Sequence, residues 1–446
     1  MKNLTFIIIA SWMSISLSGQ SAPQDSAAFS LDEAVSYAVA NNLNAENARL
    51  DIESADKRVW ETAAAGLPQV NAGINYNNNI ALATTLIPDF FGDPTQKIEI
   101  QFGTRHFATA GVNASQLIFS GQYIVGLQTA KLFKEYSQKN KDLTEQQVKE
   151  AVTQGYYLVL LAENTLEALQ GNLENIRKTY ADTRELYEAG FIEEISADQL
   201  EVTLSDLENA VLSMQRQVVA SRNLLKLQMG IDINKEIILT ENLAELVGNL
   251  DMQLLMSLDM DVESNINYQI LNDQEKLAYM DMKLKQTDYL PTLSAFFSLD
   301  FTAQRDEFNF LSGNESWYKA SAVGLSLNLP IFSSGMRMAG VAQKRIAFEK
   351  ARNTKTFATQ GLRIEFMQAQ YDFASAYEKF TREKKNLELS QKVVNATKEK
   401  FTEGLVSSLE LTQVNDQYLQ TLSAYTSAMV DLLNAKIKLD ILLNNI

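Results

Sequence analysis

The chain of 446 residues contains no cysteine and only one histidine, His106. Without cysteine there is no disulfide framework, no thiolate metal site and no lipid-modified cysteine. General acid–base catalysis often recruits histidine, and zinc sites usually need more than one histidine or cysteine. No glycine-rich phosphate loop and no catalytic triad is visible in the sequence either. We therefore expect neither an enzyme nor a bound cofactor or metal, and we expect His106 to be an exposed loop residue.

Long apolar runs are missing beyond the first residues of the chain. Residues 1–19 combine Lys2, an apolar stretch and small residues, which is typical of a secretory signal peptide cleaved after Gly19 or Ala22. No later segment has 18 consecutive apolar residues, so we expect no transmembrane helix in the exported chain. A basic excess is missing as well, because the net charge is −16. This balance argues against binding to nucleic acid, which rewards a basic face.

The two halves of the chain resemble each other. Three motifs recur in the same order: GLPQVNAGINYNNN (66–79) with YLPTLSAFFSLDFT (289–302), GVNASQLIFSG (111–121) with GLSLNLPIFSSG (324–335), and YEAGFIEEIS (187–196) with FTEGLVSSLE (401–410). We interpret this order as a tandem duplication. The predicted domains are a first repeat at 20–231, a linker at 232–258 and a second repeat at 259–446.

Each half contains a very long helical pattern. Apolar or small residues recur at alternating steps of four and three from Val148 to Tyr187, and adding 214 gives a matching series from Leu362 to Phe401. The spacing resumes after each glycine, from Leu200 to Leu225 and from Val414 to Leu439. Such a period is typical of supercoiling helices with a narrow seam, although an ordinary bundle also has an apolar stripe. A helix over about 121–188 would be roughly 100 Å long.

Each half also predicts a shorter helix followed by two strands. The helices, 31–65 and 262–289, end before Pro68 and Pro291, since proline lacks an N–H and disfavours a helical residue before it. Alternating stretches then predict strand pairs at 68–119 and 291–332. Their connecting loops are predicted at 80–106 and 303–319.

The strand pattern is compatible with a membrane. In the first strand Val70, Ala72, Ile74 and Tyr76 alternate with asparagine and glycine, as expected for lipid on one face and a wet lumen on the other. A half-buried sheet of a soluble domain gives a similar pattern. Four strands cannot close a membrane barrel, because bacterial barrels start at eight, and an open edge in lipid leaves backbone groups unpaired. If the strands span a membrane, several chains must share one barrel.

With these features the chain resembles the TolC-like outer membrane efflux proteins, or outer membrane factors. The resemblance rests on LDEAVSYAVANNLNAENARLDIESADKRVWETAAAGLPQVNAGINYN, on the LIFSGQ and PIFSSG junctions, and on the paired AGFIEEISADQLE and EGLVSSLELTQVN. It implies an α+β membrane protein, a homotrimer whose 12-stranded outer-membrane β-barrel has four strands per chain and continues as a long periplasmic α-helical barrel.

The resemblance also implies a function. The channel would passively conduct substrates in a tripartite efflux or type I secretion system. Its partners would be outer-membrane lipid, a periplasmic adaptor (membrane fusion) protein and an inner-membrane transporter of the resistance–nodulation–division (RND) or ATP-driven (ABC) class. An exported coiled-coil scaffold or adhesin without a pore is the alternative, and it explains the heptads but not the repeated strand pairs.

In the family, the glycine turns lie at the periplasmic tip. An acidic residue six positions after the glycine commonly helps to form the constricting ring or its latch. Glu410 stands there after Gly404, whereas Ser196 stands there after Gly190. Some relatives have a basic latch residue two positions after the second glycine, which is Val406 in this chain.

Two further interpretations of these turns stay open. Glu193 and Glu194 could supply the tip charge in place of a ring residue, and a ring of glutamates would favour cations. Alternatively, the glycines of the turns, 188–196 and 402–408, only end helices. Ser196 with Gln199, and Ser407 with Glu410, would then be capping boxes that start the next helices. The capping and gating roles are compatible with each other.

Overall fold

A computed structural model describes residues 27–89, 92–93, 95–248, 252, 257–313 and 315–445. The predicted signal peptide, with its cleavage sites, lies outside these residues. The chain forms two compact units. The first, here called the turn unit, comprises Met1–Asn41, Ala151–Leu250 and Asn386–Thr426; the second, here called the sheet unit, comprises Asn42–Glu150, Asp251–Lys385 and Ser427–Ile446.

Helices dominate the described chain. They are α1 (Leu31–Asn41), α2 (Leu43–Ala64), α3 (Gly121–Glu188), α4 (Glu194–Met229), α5 (Leu243–Gly248), α6 (Ile266–Gln286), α7 (Met336–Thr402) and α8 (Ser408–Leu442). A single 3₁₀ turn, Thr287–Tyr289, follows α6. Within the described residues, no helix is long and apolar enough to span a bilayer.

The strands fall into three small sheets. They are β1 (Ala27–Phe29), β2 (Gln69–Asn78), β3 (Thr84–Pro88), β4 (Lys97–Gln101), β5 (His106–Ser120), β6 (Ile237–Leu239), β7 (Thr292–Arg305) and β8 (Tyr318–Asn328). The largest sheet has the antiparallel order β2-β5-β7-β8, while β1 pairs with β6 and β3 pairs with β4.

The long helices of the turn unit pack along the seams that the sequence predicts. Buried residues of α3, α4, α7 and α8 form one apolar cluster: Leu169, Leu173, Ile176, Leu207, Val211, Val394, Tyr418 and Leu422. Apart from Leu422, these residues belong to the predicted four-and-three series. Burial of a narrow stripe on each helix confirms the heptad prediction, because removal of this stripe from water is what holds long helices side by side.

The first predicted helix is wrong in one respect. Residues 31–65 form α1 and α2, which are separated at Asn42. The backbone of Asn42 is extended (φ −68°, ψ 131°), and its Oδ1 accepts hydrogen bonds from the N–H of Asn44 at 2.8 Å and of Ala45 at 3.4 Å. A side chain that caps a helix start in this way ends the preceding helix and begins a new one.

The linker of the turn unit contains a strand that the sequence does not reveal. β6 pairs in parallel with β1, from Ala27 opposite Ile237 to Phe29 opposite Leu239. The hydroxyl of the buried Tyr156 donates to the carbonyl of Phe29 at 3.0 Å. The first described residues are therefore attached both to the linker and to α3.

In the sheet unit, the predicted loop 80–106 contains the β3–β4 hairpin and ends in β5. His106 is consequently the first residue of β5 rather than a loop residue, and its Nδ1 lies 2.8 Å from the hydroxyl of Tyr76 on β2. The last predicted strand reaches residue 332, but β8 ends at Asn328. Pro330 explains this difference, since it has no N–H to donate to a strand ladder.

Strand register separates an apolar face of the large sheet from a polar face. One row across the four strands contains Val70, Ala114, Phe297 and Val323, and the adjacent row contains Asn71, Asn113, Ser298 and Ala322. Farther along, Gly73, Gly111, Asp300 and Ala320 form another row of the polar face. The apolar side chains at the sheet margins are open, with Ile74 81% and Val323 82% exposed. Within this sheet, β2 and β8 are the edge strands.

Candidate functional site

The two glycine turns of the turn unit have the same backbone. Gly190 and Gly404 adopt left-handed conformations, with φ of 77° and 74°. The hydrogen bonds around the two glycines match. In the first turn, the N–H of Gly190 donates to the carbonyl of Tyr187 and that of Phe191 to the carbonyl of Leu186, each at 2.9 Å. In the second turn, the N–H of Gly404 donates to the carbonyl of Phe401 at 3.0 Å and that of Leu405 to the carbonyl of Lys400 at 2.9 Å. This is the Schellman pattern, in which a left-handed residue lets the last helical carbonyls be satisfied.

The helices restart differently after the two turns. Ser407 caps α8 as predicted, since its Oγ accepts the N–H of Glu410 at 3.2 Å. The predicted capping box of Ser196 with Gln199 is wrong, because α4 already begins at Glu194 and Ser196 lies in its first turn. The cap position is occupied by Glu193, whose side chain makes no capping hydrogen bond. The carboxylate of Glu193 is therefore not used to start the helix.

The predicted charged residues of the turns face solvent in the described chain. Glu193, Glu194 and Glu410 are exposed, whereas Ser196 and Val406 are half-buried. The first turn is more acidic than the sequence motifs alone suggest, because residues 182–201 carry one basic residue, Arg184, among seven acidic ones. The acidic residues are Asp182, Glu185, Glu188, Glu193, Glu194, Asp198 and Glu201.

Polar contacts near the turns join the first helical hairpin to the second. The Oγ of Ser408 donates to Oε1 of Gln199 at 2.8 Å, and the hydroxyls of Thr203 and Thr412 lie 3.3 Å apart. These contacts explain the half-buried position of Gln199 without a capping box. They also align the starts of α4 and α8 with each other.

A buried amide pair lies deeper along the same helices. The Nδ2 of Asn172 on α3 donates to Oδ1 of Asn415 on α8 at 2.8 Å, and both side chains are buried. The Nδ2 of Asn415 has no hydrogen-bond partner in the described residues. Sequence reasoning missed this pair, although the signal was present: each asparagine is the immediate neighbour of a seam residue, Leu173 or Val414. A buried asparagine in such a seam fixes the register of the helices.

Asp206 of α4 and Asp416 of α8 are exposed aspartates whose charges interact. Partial burial raises the pKa of Asp416 above its ordinary value, and the nearby carboxylate of Asp206 raises it further. Neither residue was singled out from the sequence, because they are 210 positions apart and belong to no motif. Among the described residues, no group of three or more histidine, aspartate or glutamate side chains is arranged to bind a metal ion.

Comparison with known proteins gives one family and a set of similar structures. The sequence model of the family described as outer membrane efflux protein matches residues 34–230 and 274–445. No curated protein sequence matches the chain significantly. The backbone is similar to that of the CmeC outer membrane channel of Campylobacter jejuni (TM-score 0.71, 16% identity), over 93% of this chain and 85% of that one.

Two further solved structures share this backbone. The outer membrane protein VceC of Vibrio cholerae has a TM-score of 0.67 at 13% identity, covering 93% of this chain and 95% of VceC. The MtrE outer membrane channel of Neisseria gonorrhoeae, solved in its open state, has a TM-score of 0.70 at 16% identity, covering 93% of this chain and 88% of MtrE. At such low identity these likenesses establish the fold.

The turn geometry predicts opposite effects for two glycine substitutions. Gly190→Ala should destabilise the turn by roughly 1–2 kcal/mol, because a Cβ is unfavourable at positive φ. Gly171→Ala, within α3 where a Cβ meets no neighbour, should instead stabilise the helix by roughly 0.5–1 kcal/mol. Amide hydrogen exchange at Ala189 and Phe191 measures local opening of the turn. Equal protection in the two variants would contradict the role given to Gly190.

The Asp416 environment predicts a pH-dependent effect. A carboxyl pKa that is raised on folding contributes stability below its ordinary value of 3.8, and this contribution is lost as the pH rises through the raised value. Asp416→Asn should therefore raise the melting temperature at neutral pH and make little difference near pH 3. Asp206→Asn should raise the melting temperature less, because this substitution removes only the repulsion between the two carboxylates. A gain from Asp416→Asn that is the same at both pH values would refute this assignment.

Proposed function

The chain belongs to the outer membrane efflux protein family, and we propose that three copies of it form a passive channel fed from the periplasm. Family membership assigns the protein to the outer membrane, with a periplasmic extension, and to efflux. The family is one of channels rather than enzymes. The number of copies, the closed barrel and the partners are the proposed part.

The faces and edges of the large sheet are the main support for a barrel shared by several copies. Its apolar face is exposed at Ile74, Val323 and Leu325, which is unfavourable in water but suits a lipid environment. Its other face has asparagine, serine, glycine and Asp300, which suit a wet lumen. The edges β2 and β8 must find partners in a bilayer, because lipid offers no hydrogen bonds to open backbone groups. Further copies of the same sheet supply those partners.

Three copies are the smallest complete assembly that agrees with the family resemblance. One sheet has four strands, and bacterial membrane barrels begin at eight, so one copy is insufficient. Three copies would give the 12 strands implied by the TolC-like motifs. In such a channel the polar face of each sheet lines the lumen, and export needs no energy input from the channel itself.

The glycine turns supply a contact surface for a periplasmic partner. Phe191 and Leu405 immediately follow the two glycines, and both side chains are exposed although they are large and apolar. Apolar side chains repeated at equivalent exposed positions are typical of interaction sites. We assign this surface to a periplasmic adaptor protein, which would connect the channel to an inner-membrane transporter of the RND or ABC class.

The same turns would control which ions enter. Glu193, Glu194 and Glu410 are exposed, and three copies would present nine such carboxylates around the opening. Val406 stands where some relatives have a basic latch residue, so a salt bridge from that position is not available to close this opening. The entrance would therefore be governed by carboxylate repulsion and by cation attraction.

Single-channel recording in planar bilayers tests the channel itself. The purified assembly should produce discrete conductance steps, since a 12-stranded barrel with a polar interior encloses water. A coiled-coil scaffold or adhesin would produce none. A folded trimer, verified by its mass in solution, that stays silent even when the turn glutamates are substituted would refute the proposal.

The turn glutamates should set ion selectivity. In the triple variant Glu193→Gln/Glu194→Gln/Glu410→Gln, the reversal potential under a salt gradient should move toward that of an unselective pore, because the negative field at the entrance is lost. Glu167→Gln, an exposed position on α3 away from the turns, serves as the control and should leave the potential close to that of the parent. Unchanged selectivity in the triple variant would remove these residues from the gate.

A further inference from the structure

We propose that neighbouring copies join through α2 of one copy and α7 of the next, with Asp51 of the first copy paired with Lys350 of the second. The inference rests on the proposed assembly of several copies and adds the surface by which they meet. It follows from the internal repeat of the sheet unit, because one chain contains an example of the missing contact.

Two constant offsets relate the two halves of the chain. β2 begins at Gln69 and β7 at Thr292, an offset of 223, while α3 ends at Glu188 and α7 at Thr402, an offset of 214. Contacts obey the same offsets. Asp56 on α2 forms an ion pair with Lys134 on α3 at 2.5 Å, and the equivalent residues, Tyr279 on α6 and Phe348 on α7, pack with ring centroids 5.4 Å apart.

In the described part of the chain, helix α6 has a second neighbour besides α7. Besides packing on α7, α6 contacts α3, where Nε2 of Gln274 donates to the hydroxyl of Tyr136 at 3.2 Å. Just after α6, Asp288 accepts a hydrogen bond from Gln122 of α3 at 2.7 Å. We subtract the offset of 223 from the residue at α6 and add the offset of 214 to the residue of α3. The first contact then becomes Asp51 with Lys350, and the second becomes Ala65 with Met336. Both converted pairs join α2, or the residue that follows it, to α7, and only a second copy can make them.

The exposed side of α2 matches the buried side of α6. Ile270 and Asp273 of α6 are 8% and 7% exposed. Their equivalents on α2, Asn47 and Leu50, are both exposed, and Leu50 is 52% accessible. Leu43, one heptad before Leu50, is exposed as well. The side of α6 that is buried at these two positions is therefore open on α2.

Helix α7 has a second seam that nothing in the described chain covers. Its residues follow alternating steps of four and three: Ile346, Lys350, Asn353, Phe357, Gln360 and Ile364. Phe357 is 82% exposed, and Ile346 and Ile364 are also exposed. The equivalent residues of α3, such as Leu132, Tyr136 and Leu143, are half-buried. A seam of coiled-coil spacing calls for a partner helix, and in the first half of the chain it has one.

Charge and register both favour this docking. Asp51 and Lys350 are both exposed, and their charges are opposite. Helices α3 and α6 run antiparallel, because residues later in α6 contact residues earlier in α3. When the two offsets are applied to this pairing, Leu43 of α2 lies at the same height as Phe357 of the neighbouring α7. The contact therefore combines an apolar pair with a charged pair about two helical turns away.

Cross-linking tests this contact directly, because the chain has no native cysteine. The full-length double variant Asp51→Cys/Lys350→Cys, treated in membranes with a short bis-maleimide, should give covalent dimers and trimers on a denaturing gel. The matched control is Asp56→Cys/Lys134→Cys, whose thiols face each other within one chain. This control should react but run as a monomer.

Charge exchange provides a second readout. Asp51→Lys and Lys350→Asp should each lower the temperature at which the assembly dissociates, and combining them should restore it, because the pair is then reversed rather than broken. Single variants that behave like the parent, or a combination that gives no recovery, would overturn the pairing.

Sedimentation separates failure of this contact from failure of the proposed function. If sedimentation shows trimers while Asp51→Cys/Lys350→Cys yields only monomers after cross-linking, the inferred surface is wrong and the trimeric channel stands. If the parent protein sediments as a monomer, the assembly of copies is wrong and the inferred surface falls with it.

Discussion

The open backbone edges of β2 and β8 are the constraint on which the rest of the structure depends. Every N–H and C=O within a bilayer has to be paired inside protein, since an unpaired group there costs several kcal/mol. A sheet of four strands with an apolar face and two open edges cannot satisfy this demand alone. In the channel that we propose, further copies of the sheet would pair with these edges, and the helices that follow the strands, α3 after β5 and α7 after β8, would pack beside those of other copies.

The two halves of the chain resemble each other in the order of their helices and strands. Equivalent places in the two halves preserve a contact while changing its chemistry: an ion pair of Asp56 with Lys134 in the first half becomes the ring contact of Tyr279 with Phe348 in the second. Position is set by the backbone repeat and by heptad spacing, so the side chains can diverge as long as each pair remains complementary. The glycine turns show the opposite behaviour, because positive φ at Gly190 and Gly404 tolerates few side chains.

The features that repeat along the chain, such as the buried stripe of the long helices, could be predicted from the sequence. Features that depend on a single side chain or on a distant contact could not. The seam through Leu169, Leu173 and Ile176 was predictable because burial repeats every 3.5 residues over a long stretch. The break at Asn42 was not, because one capping asparagine looks like any polar residue within a helix. The three-residue strand β6 was also hidden, since its pairing with β1 joins segments more than 200 residues apart. At the candidate site, the glycine turns followed from local rules, whereas the pairs Asn172–Asn415 and Asp206–Asp416 required the fold.

The buried Asn172–Asn415 pair gives the helical seam a direction-dependent stiffness. Sliding α8 along α3 by a turn would bring each amide against apolar side chains and leave it buried without its partner, at a cost of about 1–3 kcal/mol. Moving the same helices apart sideways would let water reach both amides and replace the lost hydrogen bond. The seam therefore resists shear more than it resists splaying, and lateral opening is the softer mechanical mode of the two hairpins.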